Sequence, residues 1–227
     1  MGGLAVLIVL IAFLASCAPK IPDVPAGATG GLPATSIKTE EQSRAAPSSF
    51  EVVVPQWKPG DEWTFRQESP QGKGTFVWAV NREESVDGVA YYVVTIGRQR
   101  EFYQRKADLA LYMDKIQGAI EQRWVPPQLL YVWPLVPGKR WVQTYTSENP
   151  RDRQTTDITS VCQVEAMETI TVPAGSFMTL KIVCHNQRTD ALMYERWYAP
   201  AVKHWIRERS RFPYGIRERE LINFKVD

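Results

Sequence analysis

The sequence contains few of the residues from which common catalytic and metal sites are built. It has two histidines and three cysteines among 227 residues, too few for a typical zinc site built from several such ligands. It also lacks the Gly-x-Ser-x-Gly elbow, the Gly-x-Gly-x-x-Gly fingerprint, the Walker loop and the Cys-x-x-Cys pair. The neighbours Cys184 and His185 would face opposite sides of a strand and could not act together. These absences predict a protein that is not an enzyme and holds no metal or cofactor.

No apolar stretch is long enough to cross a membrane as a helix, although a short one stands near the start. Residues 4–14 are apolar without interruption, whereas a helical span needs about 20 such residues. A short apolar core that ends in small residues is typical of a signal peptide that is removed during export. The run leads into Leu14-Ala15-Ser16-Cys17, which resembles the lipobox of bacterial lipoproteins.

The lipobox resemblance implies that residues 1–16 are cleaved and that Cys17 becomes the acylated first residue. Each buried methylene of an acyl chain contributes about 0.8 kcal/mol, so two or three chains such as palmitate anchor a protein stably. The second position is Ala18 and not Asp, which resembles the outer-membrane address of enterobacterial lipoproteins that face the periplasm. The alternative is an ordinary secretory signal with a chance cysteine. Residues 1–3 contain no Lys or Arg, and signal peptides usually carry positive charge there.

Residues 17–49 have the composition of a flexible tether. They are rich in Pro, Ala, Gly, Ser and Thr and contain almost no large apolar side chain, so they cannot offset the entropy lost on ordering. A coil of about 32 residues reaches on the order of 30 Å, which would hold the following domain off the membrane. Residues 50–227 are numerous enough to form one domain with a full core.

Charge gives little indication of a partner. The formal net charge is +2, with acidic and basic residues interspersed, which argues against a nucleic-acid surface. The C-terminal part alternates Arg and Glu over residues 207–211 and 217–220. This alternation predicts a solvated strand face, and contact with an anionic lipid or glycan is the alternative.

Beyond residue 50 the chain consists of short β-type runs separated by turn residues. Aromatic residues, which favour strands, make up 11% of the sequence. No stretch keeps a 3.6-residue apolar period, and the best candidate for a short helix covers residues 115–122. Turn signals such as Pro59-Gly60-Asp61 and Asp87-Gly88 separate the runs. The sequence therefore predicts a mainly β fold with little helix, an antiparallel curved sheet or half-barrel. The runs are 51–54, 63–65, 75–80, 91–96, 109–113, 129–133, 140–145, 155–172, 179–185, 192–198, 204–209 and 221–226.

A Pro-Gly-x-x-Trp motif occurs twice, at residues 59–63 and 137–141. In each copy the Pro-Gly pair favours a tight turn, and the Trp begins the next strand with its ring on the core. Trp57 and Trp133 precede the two copies at slightly different distances. Either the motif marks two similar β-meanders that form the halves of one sheet or barrel, or two turns share it by chance.

Cys162 and Cys184 are the cysteines that remain once the lipobox cysteine is acylated. An even pair in an oxidising compartment suggests a disulfide, and each shares its strand parity with aliphatic neighbours that face the core. A simple hairpin turning at residues 173–176 would leave Cys162 about 13 Å from the position opposite Cys184, at about 3.3 Å per residue. The Cα atoms of a disulfide lie within about 7 Å. A bulge or break near Gln163 would close the gap, and two buried thiols are the alternative.

Two further segments carry a family resemblance. The turn at residues 172–177, Val-Pro-Ala-Gly-Ser-Phe, and the segment at 197–202, Trp-Tyr-Ala-Pro-Ala-Val, stand beside the two Pro-Gly-x-x-Trp strand starts. Together they resemble uncharacterised exported bacterial β-proteins called TapB-like, over residues 55–210. The resemblance brings no activity and no catalytic residue. It implies an antiparallel curved sheet in the cell envelope, similar to the half-barrels of lipoprotein carriers that hold acyl chains.

These observations predict a cell-envelope lipoprotein whose non-catalytic β-domain binds a lipid or another apolar ligand. The alternatives are an accessory subunit that docks onto an envelope protein assembly, and a binder of glycan or peptidoglycan through Trp and Tyr. An internal void would favour a lipid, whereas a flat exposed aromatic patch above several hundred Å² would favour a protein. The expected partners are the membrane, through Cys17, and the lipid or envelope protein, with no nucleic acid. The sequence identifies no binding residue.

Overall fold

The structure is a computed structural model that describes residues 50–97 and 99–227. The predicted signal peptide, the acylated Cys17 and the tether lie outside these residues. The described part of the chain forms twelve strands and one short 3-10 helix, Pro200–Val202. The strands are β1 (Glu62–Ser69), β2 (Gly72–Val86), β3 (Val89–Ile96), β4 (Arg100–Arg105), β5 (Leu111–Ile116), β6 (Ala119–Gln128), β7 (Arg140–Asn149), β8 (Gln154–Val172), β9 (Gly175–Asn186), β10 (Leu192–Ala199), β11 (His204–Phe212) and β12 (Gly215–Lys225).

These strands close into a single antiparallel barrel. Each strand pairs with the next along the chain, and β12 pairs with β1. Trp63 lies opposite Phe224 at this closing seam. The prediction of a mainly β, antiparallel and curved fold is confirmed. The strands form a closed barrel and not a half-barrel. Full closure leaves no unpaired sheet edge among the described strands.

A cluster of aromatic rings fills the barrel at the end where β1 begins. Strand alternation sends Trp63 and Phe65 inward, where both are buried, while Glu62 between the turn and Trp63 is exposed. His204, at the start of β11, lies within 5.7 Å of five of these rings, centroid to centroid. The cluster consists of Trp57, Trp63, Phe65, Trp78, His204 and Trp205.

The two Pro-Gly-x-x-Trp copies precede β1 and β7, six strands apart, and their backbones make matching hydrogen bonds. The Gly60 amide donates to the Val80 carbonyl at 2.8 Å, and the Gly138 amide donates to the Val164 carbonyl at 2.8 Å. Val80 and Val164 each precede a β-bulge in their strand. The repeat is therefore structural, and the barrel consists of two similar six-stranded halves.

Each half is also tied to the other by the tryptophan that precedes its motif. Trp57 donates its indole N–H to the Lys203 carbonyl in the β10–β11 connection, at 2.9 Å. Trp133 donates to the Asp108 carbonyl in the β4–β5 connection, at 2.8 Å. Both connections contain a left-handed residue, Leu109 with φ 61° and Lys203 with φ 57°. The two tryptophans that precede the repeated motif thus hold equivalent connections of opposite halves.

The structure corrects three local predictions. The helix predicted over residues 115–122 is a hairpin between β5 and β6, because residues 117–118 form a turn with φ values of 52° and 82°. Positive φ at both turn positions matches the twist of a two-residue hairpin. Residues 129–133 form part of an irregular connection and not a strand. The run at 51–54 contributes one isolated bridge, between Val52 and Leu135.

Cys162 and Cys184 form a disulfide between β8 and β9, with their Cα atoms 4.1 Å apart. The two residues lie directly opposite each other in the strand register. The predicted hairpin register was wrong because the turn contains two residues, 173–174, and not four. The bulge at Glu165 shifts the register by one more position. A shorter turn and a bulge together bring the cysteines into register.

Candidate ligand-binding site inside the barrel

A half-open cavity of about 690 Å³ is lined by side chains that face into the barrel. Pockets for small ligands commonly have volumes of about 300–1,000 Å³. Residues 186–191, which connect β9 and β10, contribute to its lining, so the cavity reaches the end of the barrel opposite the aromatic cluster. Its apolar walls are formed by Trp78, Ile96, Phe102, Leu111, Trp124, Leu130, Leu192, Met193 and Phe212.

One side of the cavity is charged. Arg196 of β10, Glu208 of β11, and Arg217 and Arg219 of β12 all line it. Arg196 and Arg219 each lie opposite Glu208 in the strand register, so the three residues face the same side of the sheet. Arg217 and Arg219 share the parity of Leu221, which is fully buried. Strand alternation therefore brings all four charged side chains into the barrel.

Three guanidinium groups surround the single Glu208 carboxylate. Arg196 donates from Nε to Glu208 Oε2 at 2.8 Å, and its Nη2 lies 2.7 Å from the same oxygen. Arg217 Nη2 and Arg219 Nη1 lie 3.5 Å and 3.4 Å from Glu208 Oε1. Arg196 therefore forms the tight ion pair, and two positive charges remain in excess.

The pKa shifts follow from burial and from this arrangement. Burial alone would raise the pKa of Glu208, but the guanidiniums of Arg196, Arg219 and Arg217 hold it well below its usual range. Burial lowers the pKa of Arg219 to about 10, and the positive charges of Arg217 and Arg196 act in the same direction against the attraction of Glu208. The Glu208 carboxylate and the Arg196 and Arg219 guanidiniums are thus charged at neutral pH, although they are largely removed from water.

Aromatic rings hold two of the guanidiniums in place. The Arg196 guanidinium carbon lies 4.2 Å from the centre of the Tyr194 ring, and that of Arg217 lies 4.3 Å from the Phe212 ring. Such cation–π contacts contribute about 0.5–2 kcal/mol each. They orient the guanidinium planes without consuming N–H donors, which remain for other partners.

The cavity also concentrates buried polar atoms that have no hydrogen-bond partner. Seven such side-chain atoms occur in the described ranges, and four of them belong to residues that line the cavity. An unsatisfied buried polar group costs about 1–3 kcal/mol. These groups would be satisfied by a bound molecule or by water. They are Trp78 Nε1, Gln104 Oε1, Arg196 Nη1 and Arg217 Nε.

The first half of the barrel carries an equivalent carboxylate with balanced charge. Asp114 lies opposite Phe102 in β4, as Glu208 lies opposite Arg196 in β10, and both carboxylates are almost fully buried. Arg100 donates from Nε to Asp114 at 2.9 Å. Burial raises the pKa of Asp114, and its ion pair with Arg100 opposes that rise. One guanidinium therefore serves the carboxylate of the first half, whereas three surround that of the second.

The sequence interpretation missed these residues. It predicted a solvated face for the C-terminal Arg and Glu alternation, which is right for Arg207 and Arg209 but wrong for Glu208, Arg217 and Arg219. The missed signal is their parity with Leu221, which places one set of the alternating charges with the core. The disulfide is buried but does not line this cavity.

Within residues 50–97 and 99–227, no group of three His, Cys, Asp or Glu side chains could hold a metal ion. No helix in the same part of the chain is long and apolar enough to cross a membrane. The cavity, with its charged and aromatic walls, is therefore the candidate binding site.

The fold is a closed, antiparallel up-and-down barrel with a cavity lined by inward-facing side chains. No protein-family model matches the chain, and no curated protein matches its sequence. The resemblance to TapB-like proteins therefore remains a prediction.

Several solved structures are similar in shape. A candidate lipoprotein from Parabacteroides distasonis has 11% identity and a TM-score of 0.39, over 77% of this chain and 99% of that one. A candidate exported protein with a YmcC-like fold from Bacteroides fragilis has 12% identity and a TM-score of 0.42, over 77% and 99%. The hypothetical lipoprotein YmcC from Escherichia coli has 12% identity and a TM-score of 0.36, over 74% and 86%. A likeness at this level carries no information about ligand or activity.

Proposed function

We propose that the chain is a cell-envelope lipoprotein whose barrel binds a lipid or another largely apolar ligand without catalysing a reaction. The observation that carries this proposal is the cavity of about 690 Å³, lined by apolar and aromatic side chains from both halves of the barrel. An apolar ligand gains about 25 cal/mol for each Å² of apolar surface that it buries there. A void among apolar side chains is the feature that distinguishes a lipid-binding barrel from a solid one.

The outer surface gives less support to the alternatives. A docking surface or a glycan platform would need exposed aromatic rings next to each other. Among the described residues the exposed large apolar side chains are seven Val or Met and one Tyr, spread over separate strands and loops. They are Val53, Val77, Val89, Val125, Val142, Met167, Met178 and Tyr214.

The location in the envelope rests on two separate features. The lipobox at residues 14–17 supports export and acylation. The disulfide between Cys162 and Cys184 supports an oxidising compartment, since disulfides rarely persist in the bacterial cytosol.

The proposal is tested by native mass spectrometry of the full chain isolated from the cell envelope. The wild type should carry additional mass from bound lipid. Ile96→Trp, which enlarges a side chain that lines the cavity, should carry less of it. Val125→Trp places the same ring at an exposed position, so it serves as the matched control and should resemble the wild type.

Thermal melts show whether each variant is folded. A wild-type chain that carries no lipid, or equal lipid on both folded variants, would contradict binding in the cavity.

A further inference from the structure

We propose that Arg196, Arg217 and Arg219, together with Glu208, form an anion subsite that takes the acidic head group of an amphiphilic ligand. The head group would be a carboxylate or a phosphate, and its apolar body would occupy the rest of the cavity. This inference rests on the proposed function, because it places the head group in the same cavity that would bind the apolar ligand.

The charge balance of the cavity is the first argument. Five arginines line it, and Glu208 is the one acidic residue among the lining residues that the structure describes. Arg100 is paired with the buried carboxylate of Asp114. The side chains of Arg196, Arg217 and Arg219 are 12%, 19% and 15% exposed. Burying charge is unfavourable unless it is paired, and an anionic group would supply the missing partner.

The unpaired donors around the cavity are the second argument. Arg196 Nη1 and Arg217 Nε belong to residues that line the cavity and have no hydrogen-bond partner, and because each atom has less than 1 Å² exposed, an anion would reach it as the wall adjusts to the ligand. Arg219 has its Nε occupied by the side-chain oxygen of Gln67, at 2.9 Å. Carboxylates and phosphates accept several hydrogen bonds from guanidinium groups, and Arg is the residue that recognises them best. The donors present in the wall therefore match an oxyanion and would not match an uncharged apolar end.

The comparison of the two halves is the third argument. At the equivalent position of the first half, a single Arg100 serves the Asp114 carboxylate. A buried ion pair that only stabilises the barrel needs no more than this one-to-one pairing. The second half adds Arg217 and Arg219 around Glu208, and their mutual repulsion contributes to the lowered pKa of Arg219. The additional guanidiniums work against the unliganded barrel, which is expected of a binding site and not of a structural pair.

The test compares three probes that separate the effect of an anionic group from that of an alkyl chain. They are octanoate, 1-octanol and inorganic phosphate. The protein is the mature chain of residues 17–227 with Cys17→Ser, which carries no acyl group and needs no detergent. Isothermal titration calorimetry should show octanoate binding at least about tenfold more tightly than 1-octanol, from the added charge-assisted hydrogen bonds. Phosphate alone should bind more weakly than octanoate, because it lacks the apolar body.

Arg217→Gln should weaken octanoate binding about tenfold or more and leave 1-octanol binding unchanged. Its melting temperature without ligand should stay close to that of the wild type, because the like-charge repulsion that it removes offsets the lost ion pair with Glu208 and the lost contact with Phe212. Arg209→Gln is the matched control, since Arg209 lies on the outer face of β11 and is 44% exposed. It should leave the affinity for both ligands unchanged.

Each contrary result has a distinct meaning. Equal affinity for octanoate and 1-octanol would overturn the anion subsite while leaving the proposed function intact. Phosphate binding as tightly as octanoate would overturn the assignment to the head group of an amphiphile. Binding of neither octanoate nor 1-octanol would contradict the proposed function, and the subsite with it. An Arg217→Gln variant that melts earlier and loses both ligands equally would show that Arg217 is structural.

Discussion

His204 is a buried titratable group that takes no part in the proposed site. Burial lowers its pKa to about 3, and the nearby Arg196 acts in the same direction, against the Trp205 carbonyl and Glu208. Its Nδ1 lies 3.0 Å from the Trp205 carbonyl oxygen. A carbonyl can only accept, so neutral His204 carries its proton on Nδ1. The imidazole thus stays uncharged within the aromatic cluster over the physiological pH range.

This burial predicts a pH-dependent stability. Below about pH 6.5 an unfolded histidine binds a proton, while folded His204 remains neutral until about pH 3. The unfolded state then binds more protons than the folded state. The free energy of unfolding therefore falls as the pH is lowered, by up to about 1.4 kcal/mol for each pH unit. Between pH 7 and pH 5 the loss from this residue should reach about 2 kcal/mol. Urea unfolding of the wild type and of His204→Gln over this range measures it.

The difference between the two proteins isolates the contribution of His204. Asp114 works in the opposite direction, since its pKa is raised, but it is present in both proteins. Parallel pH profiles for the wild type and His204→Gln would show that His204 binds its proton at the same pH in the folded barrel as in the unfolded chain, and would contradict the prediction.

At the scale of single strands, the Trp of each Pro-Gly-x-x-Trp motif fixes where a half of the barrel begins. Trp63 is 0% exposed and Trp141 is 8% exposed. Trp63 also donates its indole N–H to the Val202 carbonyl at 2.7 Å, whereas the indole N–H of Trp141 has no partner in the described ranges. Both rings belong to the core, but of the two indole N–H groups only that of Trp63 has a hydrogen-bond partner in the described ranges.

Trp63→Ala and Trp141→Ala should each lower the free energy of unfolding by about 3–5 kcal/mol, through lost burial and a cavity. The loss should be larger for Trp63, because that variant also leaves the Val202 carbonyl without its donor. A domain of this size has about 5–15 kcal/mol in total, so both variants should melt far earlier than the wild type. Thermal melts beside Trp197→Ala, a partly exposed tryptophan of β10, provide the comparison. Unchanged melting of both variants would mean that these rings are not core anchors.

The strands themselves could be predicted from the sequence to the extent that their signals are local. Alternating apolar residues and Pro-Gly turns located the starts of β1 and β7 and the direction of their tryptophans. β6 was missed because its polar first half resembles a helix and it contains Pro126 and Pro127. Bulges such as the one at Glu165 have no sequence signal of this kind, and each bulge shifts the register of everything beyond it.

The two halves differ at equivalent positions inside the barrel. Trp78 lies opposite Ile96 in the first half, and both line the cavity. The disulfide of Cys162 and Cys184 holds the equivalent position in the second half. The bulges show that the two positions are equivalent. Val80 stands two residues after Trp78, Val164 stands two residues after Cys162, and each valine directly precedes a bulge. The similarity of the two halves thus accounts for the arrangement of strands and bulges. The cavity and its charges arise where the residues of the two halves differ.

For the whole molecule, the site could not be read from the sequence because its parts are joined only by closure of the barrel. Trp78 of β2 and Arg219 of β12 line one cavity although the whole barrel separates them in sequence. Their proximity depends on the pairing of β1 with β12, which no local pattern encodes. The sequence could predict that inward positions exist on each strand, but not that charged residues of the last strands would share them with the aromatic residues of the second.

The anchor is a prediction about the whole chain, and it can be tested independently of the barrel. Because Cys17 completes the lipobox, Cys17→Ser should remove the acylation site, so that the chain is released from membranes or its processing stalls. Ser16→Ala keeps a small residue before the cysteine and should leave anchoring intact. Ultracentrifugation of cell extracts, with the mature and precursor forms followed by mass, measures both effects. Two or three acyl chains hold a protein on a membrane where one does not, so a Cys17→Ser chain that is processed and still sediments fully with the membranes would contradict the lipoprotein hypothesis. The barrel would fold and bind octanoate without the acyl anchor, so the two hypotheses can fail separately.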